Sequence, residues 1–127
     1  MKASIYLVSA FLLVVLTKST EAQTLHAATG MELLRQCDPR STDEGARTLD
    51  KLLCLTYLDG FIQGHRTTTD LLKPAKPLLC FPAEGIEVEQ AQLVVVKWLR
   101  EHPKDLHHST RILVISALTQ AFPCAVS

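Results

Sequence analysis

Several things are missing from this chain, and each absence removes a class of function. Basic and acidic side chains balance at 13 each. There is therefore no cationic field to hold nucleic acid or an anionic membrane surface. No apolar run approaches the roughly 20 residues that a membrane-spanning helix needs. There is no G-x-S-x-G, no phosphate loop, no H-E-x-x-H and no C-x-x-C. Paired carboxylates with an obvious cleft, internal repeats, low-complexity segments and alternating strand patterns are also lacking. The reading is of a protein with no cofactor and no metal, one that is not an enzyme.

The first residues have the layout of a secretory signal peptide. Lys2 gives a positive start, and Ile5 to Leu16 is an apolar run broken only by Ser9. Thr20 and Ala22 occupy the two positions that signal peptidase reads. Residues 1–22 are the expected leader and 23–127 the single mature domain, with no membrane attachment after cleavage. A lipoprotein would need a cysteine where Gln23 stands. Removing the leader leaves 11 basic and 12 acidic residues, a net charge of −1. All four cysteines remain: Cys37, Cys54, Cys80 and Cys124. An even number in an exported chain of this size predicts disulfides.

The pattern is helical throughout and predicts an all-α fold, a small bundle of four to five helices stapled by disulfides. Thr29 and Glu32 form a capping-box pattern ahead of a short helix over Gly30 to Cys37. Ser41 and Glu44 repeat it ahead of a long helix over about 42 to 71. Leu49, Leu52, Leu53, Thr56, Tyr57 and Gly60 follow one helical stripe. Leu55, Leu58 and Ile62 form a second stripe, readable as core of a central helix or as a dimer face. Gly60 and Gly64 share a face and permit close approach. Pro74, Pro77 and Pro82 impose an irregular connection, which Cys80 would tie down. A third helix is expected over about 87 to 101, with Ala91, Val94, Val95, Trp98 and Leu99 facing inward. A fourth is expected over about 104 to 121, burying Leu106, Thr110, Leu113, Val114, Ala117, Leu118 and Ala121.

The short connection at His102-Pro103 makes the last two helices antiparallel neighbours. The segments that carry Cys80 and Cys124 then lie at one end of that hairpin. Cys80–Cys124 is the preferred bridge and Cys37–Cys54 the other, although four cysteines allow three pairings.

One stretch resembles chemistry: CLTYLDGFIQGH, Cys54 to His65, contains a cysteine, an aspartate and a histidine. Eleven residues of helix separate Cys54 from His65 by about 16 Å along the axis. A nucleophile and its base must approach to roughly 3 Å. Asp59 points elsewhere on the helix, so the trio is not a catalytic constellation. His107 and His108 are adjacent, with His102 and Asp105 near, but adjacent helical positions point about 100° apart. They make a surface cluster.

The ordered set ELLRQC (Glu32 to Cys37), CLTYLDGFIQG (Cys54 to Gly64), LCFPAEGIEVEQ (Leu79 to Gln90), VVKWLREHP (Val95 to Pro103) and ALTQAFPC (Ala117 to Cys124) resembles the Rap/Tai family of type VI secretion immunity proteins. The likeness implies a periplasmic, all-helical, often homodimeric protein. It implies a partner, a secreted peptidoglycan amidase effector of the papain-like Cys-His type, which the immunity protein binds and blocks. Such inhibition needs a rigid projecting element with a desolvated anchor. Two segments could supply it: the loop from Lys73 through Lys76 to Glu84, and the turn that carries His102, Lys104, Asp105, His107 and His108. A small helical periplasmic chaperone, and an inhibitor or adaptor of another periplasmic enzyme, are the rival readings.

Overall fold

The computed structural model describes residues 28–125. The leader predicted over residues 1–22 lies outside them. Four helices form the described fold: α1 (Gly30–Cys37), α2 (Glu44–Leu72), α3 (Val88–Glu101) and α4 (Thr110–Ala121). A 3-10 turn, Pro103–Asp105, precedes α4. Among the described residues there is no strand, only an isolated bridge between Thr29 and Ser109. No helix among them is long and apolar enough to cross a membrane.

The helix ends follow local chemistry. The Thr29 capping box is complete, with Glu32 returning its carboxylate to the backbone N–H of Thr29. The second capping box does not form. Asp43, not Ser41, caps α2, its Oδ1 accepting from Ala46 N–H at 2.6 Å. Ser41 instead accepts from Asp43 N–H, so α2 starts two residues later than expected. It ends at Lys73, which takes a left-handed conformation (φ 43°) just before Pro74.

The fourth helix also starts later than the pattern predicts. Residues 106–110 use their backbone to hold the start of the domain. Gly30 N–H donates to His108 O, Met31 N–H to Leu106 O and Thr110 N–H to Ala28 O. Groups committed to that pairing cannot also continue a helical ladder. Gly30 is required at this seam. A Cβ there would run into Leu113 Cδ1 and lie 3.1 Å from the Leu106 backbone.

The core corrects the expectation for α2. The stripe that faces inward is Asp50, Cys54, Leu58 and Ile62. Leu58 and Ile62, read with Leu55 either as core of a central helix or as a dimer face, are 0% and 2% exposed and so belong to the core. They pack inside the protomer with Leu33, Val95, Leu99 and Leu118, and Leu55 is half-buried. Leu49, Leu52, Thr56 and Gly60 lie outside instead. Asp50 is tolerated near the core because Arg35 Nη1 holds both its oxygens at 2.8 Å. Of the expected inward faces, Ala91, Val95 and Leu99 of α3 and Thr110, Leu113, Val114, Ala117 and Leu118 of α4 are buried, as is Leu106 ahead of α4, whereas Val94 and Trp98 are half-buried and Ala121 is exposed.

Both preferred disulfides form, Cys37–Cys54 in the core and Cys80–Cys124 at the hairpin's open end.

Candidate partner-binding site

The Cys54, Asp59, His65 trio is dispersed. Cys54 is oxidised with Cys37. Asp59 is on the surface with Gln63. His65 donates from Nε2 to Leu79 O at 3.1 Å and sets its ring edge-on to Phe81. His65 therefore anchors the loop. Among the described residues no group of three or more His, Cys, Asp or Glu side chains is arranged to hold a metal. His107 and His108 lie ring against ring, 4.0 Å apart, and His107 Nδ1 also contacts Lys104 O.

The two segments expected to face a partner lie at opposite ends of the α3–α4 hairpin. The 14 residues of α3 separate them by about 21 Å. At the turn end, His102 is half-buried: it stacks on Trp98 at 3.9 Å, and its Nδ1 contacts Trp98 O. Trp98 Nε1–H in turn donates to Gln120 Oε1. Asp105 N–H caps back to His102 O. Lys104, His107 and His108 are exposed on that turn, as is Pro103.

The loop end is built differently. Lys73, Lys76 and Glu84 are exposed along it. Besides the His65 bond to Leu79 O, its middle is pinned three ways. Cys80 is bonded to Cys124, Cys80 N–H donates to Phe122 O, and Leu79 is 2% exposed in the core. The Cys124 sulfur also lies 3.5 Å from Pro77 O; a disulfide sulfur has no proton to donate, so this is a packing contact. Gly85 turns the chain at φ +85°, against the Arg66 guanidinium. Between the loop and the last turns of α2 lies a cleft of about 440 Å³, bordered by His65, Arg66, Thr69, Asp70, Phe81 and Pro82. Three leucines within two positions in sequence of residues that border it are open to solvent: Leu71 at 77%, Leu72 at 73% and Leu78 at 61%.

The sequence reading missed these leucines. Leu71 and Leu72 end α2 well past Ile62, its last buried residue, and Leu78 lies in the loop, so apolar residues beyond the last core position were the available signal. It missed Arg35–Asp50 as well, a pairing across 15 residues that no spacing rule announces.

Charge tunes two carboxylates. The backbone N–H groups of Thr29 and Ala28 hold Glu32 below the ordinary carboxylate range. The hydrogen bond from Arg100, with attraction from Arg100 and Arg40, does the same for Asp38 against the opposing effect of burial. Burial pushes the Tyr57 hydroxyl up.

A family model described as Rap1a immunity proteins matches residues 29–124, a span that takes in all four helices and all four cysteines. No curated protein and no solved structure matches the chain.

Proposed function

The chain belongs to the Rap1a immunity protein family, and from that premise we propose that it is a periplasmic immunity protein that binds and blocks a type VI secreted peptidoglycan amidase. The family match over residues 29–124 carries this reading. The two closed disulfides suit an exported protein in an oxidising compartment. In this reading the leader at residues 1–22 directs export and is removed, and the protein contributes binding and no catalysis.

The loop end supports the binding role. A blocking element must keep its shape when the partner arrives, because ordering a mobile segment costs affinity. The segment from Lys73 to Glu84 has prolines at 74, 77 and 82 and a disulfide at Cys80. Leu78 stands exposed one residue before the buried Leu79, which is the layout of an anchor on a fixed stalk. Leu71 and Leu72 widen that apolar surface. Inhibition follows when this edge covers the amidase cleft and excludes the wall peptide. Homodimerisation, where it occurs, uses a surface other than Leu58 and Ile62.

The experiment is inhibition of purified papain-like type VI amidase effectors, assayed on purified peptidoglycan. The mature protein should abolish stem-peptide cleavage at near-stoichiometric amounts. Leu78→Asp should weaken inhibition about a hundredfold, in the range of an interface hot spot, while leaving the melting temperature unchanged. Full inhibition by Leu78→Asp would remove the loop from the interface. Absence of any inhibition by the wild-type protein would remove the amidase as target.

A further inference from the structure

A second concave surface lies at the other end of the molecule. Between α1 and the last turn of α3 lies a depression of about 250 Å³, lined by Met31, Leu34, Arg35, Asp38, Arg40 and Arg100. Its floor is apolar, with Met31 60% exposed and Leu34 half-buried. Its rim is cationic. Arg100 and Arg40 share the single carboxylate of Asp38, Arg40 at 3.5 Å. Arg35 holds Asp50. Three guanidiniums thus face two carboxylates. Among the described residues, each arginine engages a carboxylate through one terminal nitrogen, while a guanidinium carries five N–H donors.

A bare anion would satisfy the rim but has no use for the floor. A plain apolar side chain would have no use for the rim. Methionine and arginine together are the composition of interface cores. Its Met31 is tied to the His102–His108 turn, because Met31 N–H donates to Leu106 O at 3.0 Å.

We propose that this depression docks a protein segment that sets a carboxylate beside an apolar side chain. The apolar group rests on Met31 and Leu34, and the carboxylate takes the unused donors of the three arginines. That the docked protein is the amidase effector rests on the function proposed above; the chemistry of the depression does not.

The test uses isotope-labelled mature protein and the capped peptide acetyl-Gly-Leu-Glu-Leu-Gly-amide. Saturable shifts are expected at the Met31 methyl and at the Nε–H groups of Arg35, Arg40 and Arg100. The Gln analogue should bind about tenfold more weakly, since a charge-assisted bond is lost. Arg40→Glu should abolish the shifts, and its side chain is exposed enough (81%) to change without unfolding the protein. Equal shifts for the Gln analogue, equal shifts from acetate alone, concentration-dependent shifts of the protein without peptide, or no shifts at these groups each overturn the proposal. In a second arm the effector is titrated at low and high salt. Arg40→Glu should weaken binding about tenfold and flatten its salt dependence. Unchanged binding and salt dependence remove the effector as occupant. If wild-type protein does not bind the effector, the amidase reading fails and the peptide titration still decides the depression.

Discussion

Removing each disulfide separately sets two physical terms against each other. Cys37–Cys54 closes a separation of 17 residues and Cys80–Cys124 one of 44. Chain entropy alone makes the first worth about 3 kcal/mol and the second about 4 kcal/mol. Burial reverses that order. Cys37 and Cys54 are 3% and 0% exposed, whereas Cys80 is exposed and Cys124 half-buried. Truncating two packed sulfurs to alanine adds about 1 kcal/mol each, the value of a buried methylene-sized group. Cys37→Ala/Cys54→Ala should therefore cost about 5 kcal/mol, more than Cys80→Ala/Cys124→Ala at about 4 kcal/mol. Urea unfolding of the two double variants gives the comparison. Reductive opening gives a second one, because thiol attack requires access to sulfur. Under limiting reductant, alkylation and mass analysis should find Cys80 and Cys124 modified first, with helix content intact. Greater loss of stability in the Cys80/Cys124 variant, or earlier alkylation of Cys37 and Cys54, would refute the argument that burial decides.

Three further outcomes can be checked. Gly30→Ala should destabilise by about 1–3 kcal/mol, through overpacking against Leu113 and the Leu106 backbone; a neutral result in chemical denaturation would show that the seam yields. Leu58→Ala should cost about 2–5 kcal/mol and Leu52→Ala under about 0.5 kcal/mol, since one is buried and the other 59% exposed; equal losses would contradict the orientation of α2. Asp38 has its proton affinity lowered by Arg100, so its contribution is fully present above the unfolded aspartate value of about 3.9. It is lost as pH falls through the lower folded value. Asp38→Asn should flatten the acid limb of the stability curve below about pH 4 and leave its neutral region parallel.

How far the sequence could be read varies with the kind of signal. Helix α1 is legible residue for residue, because Thr29 and Glu32 state its start and Asp38-Pro39 its stop. Connection length, which forces α3 and α4 into a hairpin, favours the observed disulfide pairing without excluding the other two. The inward face of α2 is not. Both of its stripes are apolar, and only the positions of α1 and α3 decide that Leu58 is covered and Leu52 is not. The start of α4 is misplaced for a similar reason. The backbone at 106–110 is claimed by Ala28, Gly30 and Met31, a bond across some 80 residues that local propensity does not contain. The partner-facing candidates divide the same way. Loop rigidity follows from prolines and Cys80, whereas the arginine-rimmed depression draws its residues from α1, the 38–40 loop and α3, and exists only once they have packed.

The order of the bridges along the chain has a consequence for manufacture. Each cysteine is bonded to its immediate neighbour in sequence, the first to the second and the third to the fourth. A chain threaded into an oxidising compartment N-terminus first presents Cys54 to Cys37 before Cys80 has emerged. An oxidase that joins thiols as they arrive therefore makes the native links directly. Pairing of neighbours in sequence thus lets the native bridges form in order of emergence, without the reshuffling that takes seconds to hours.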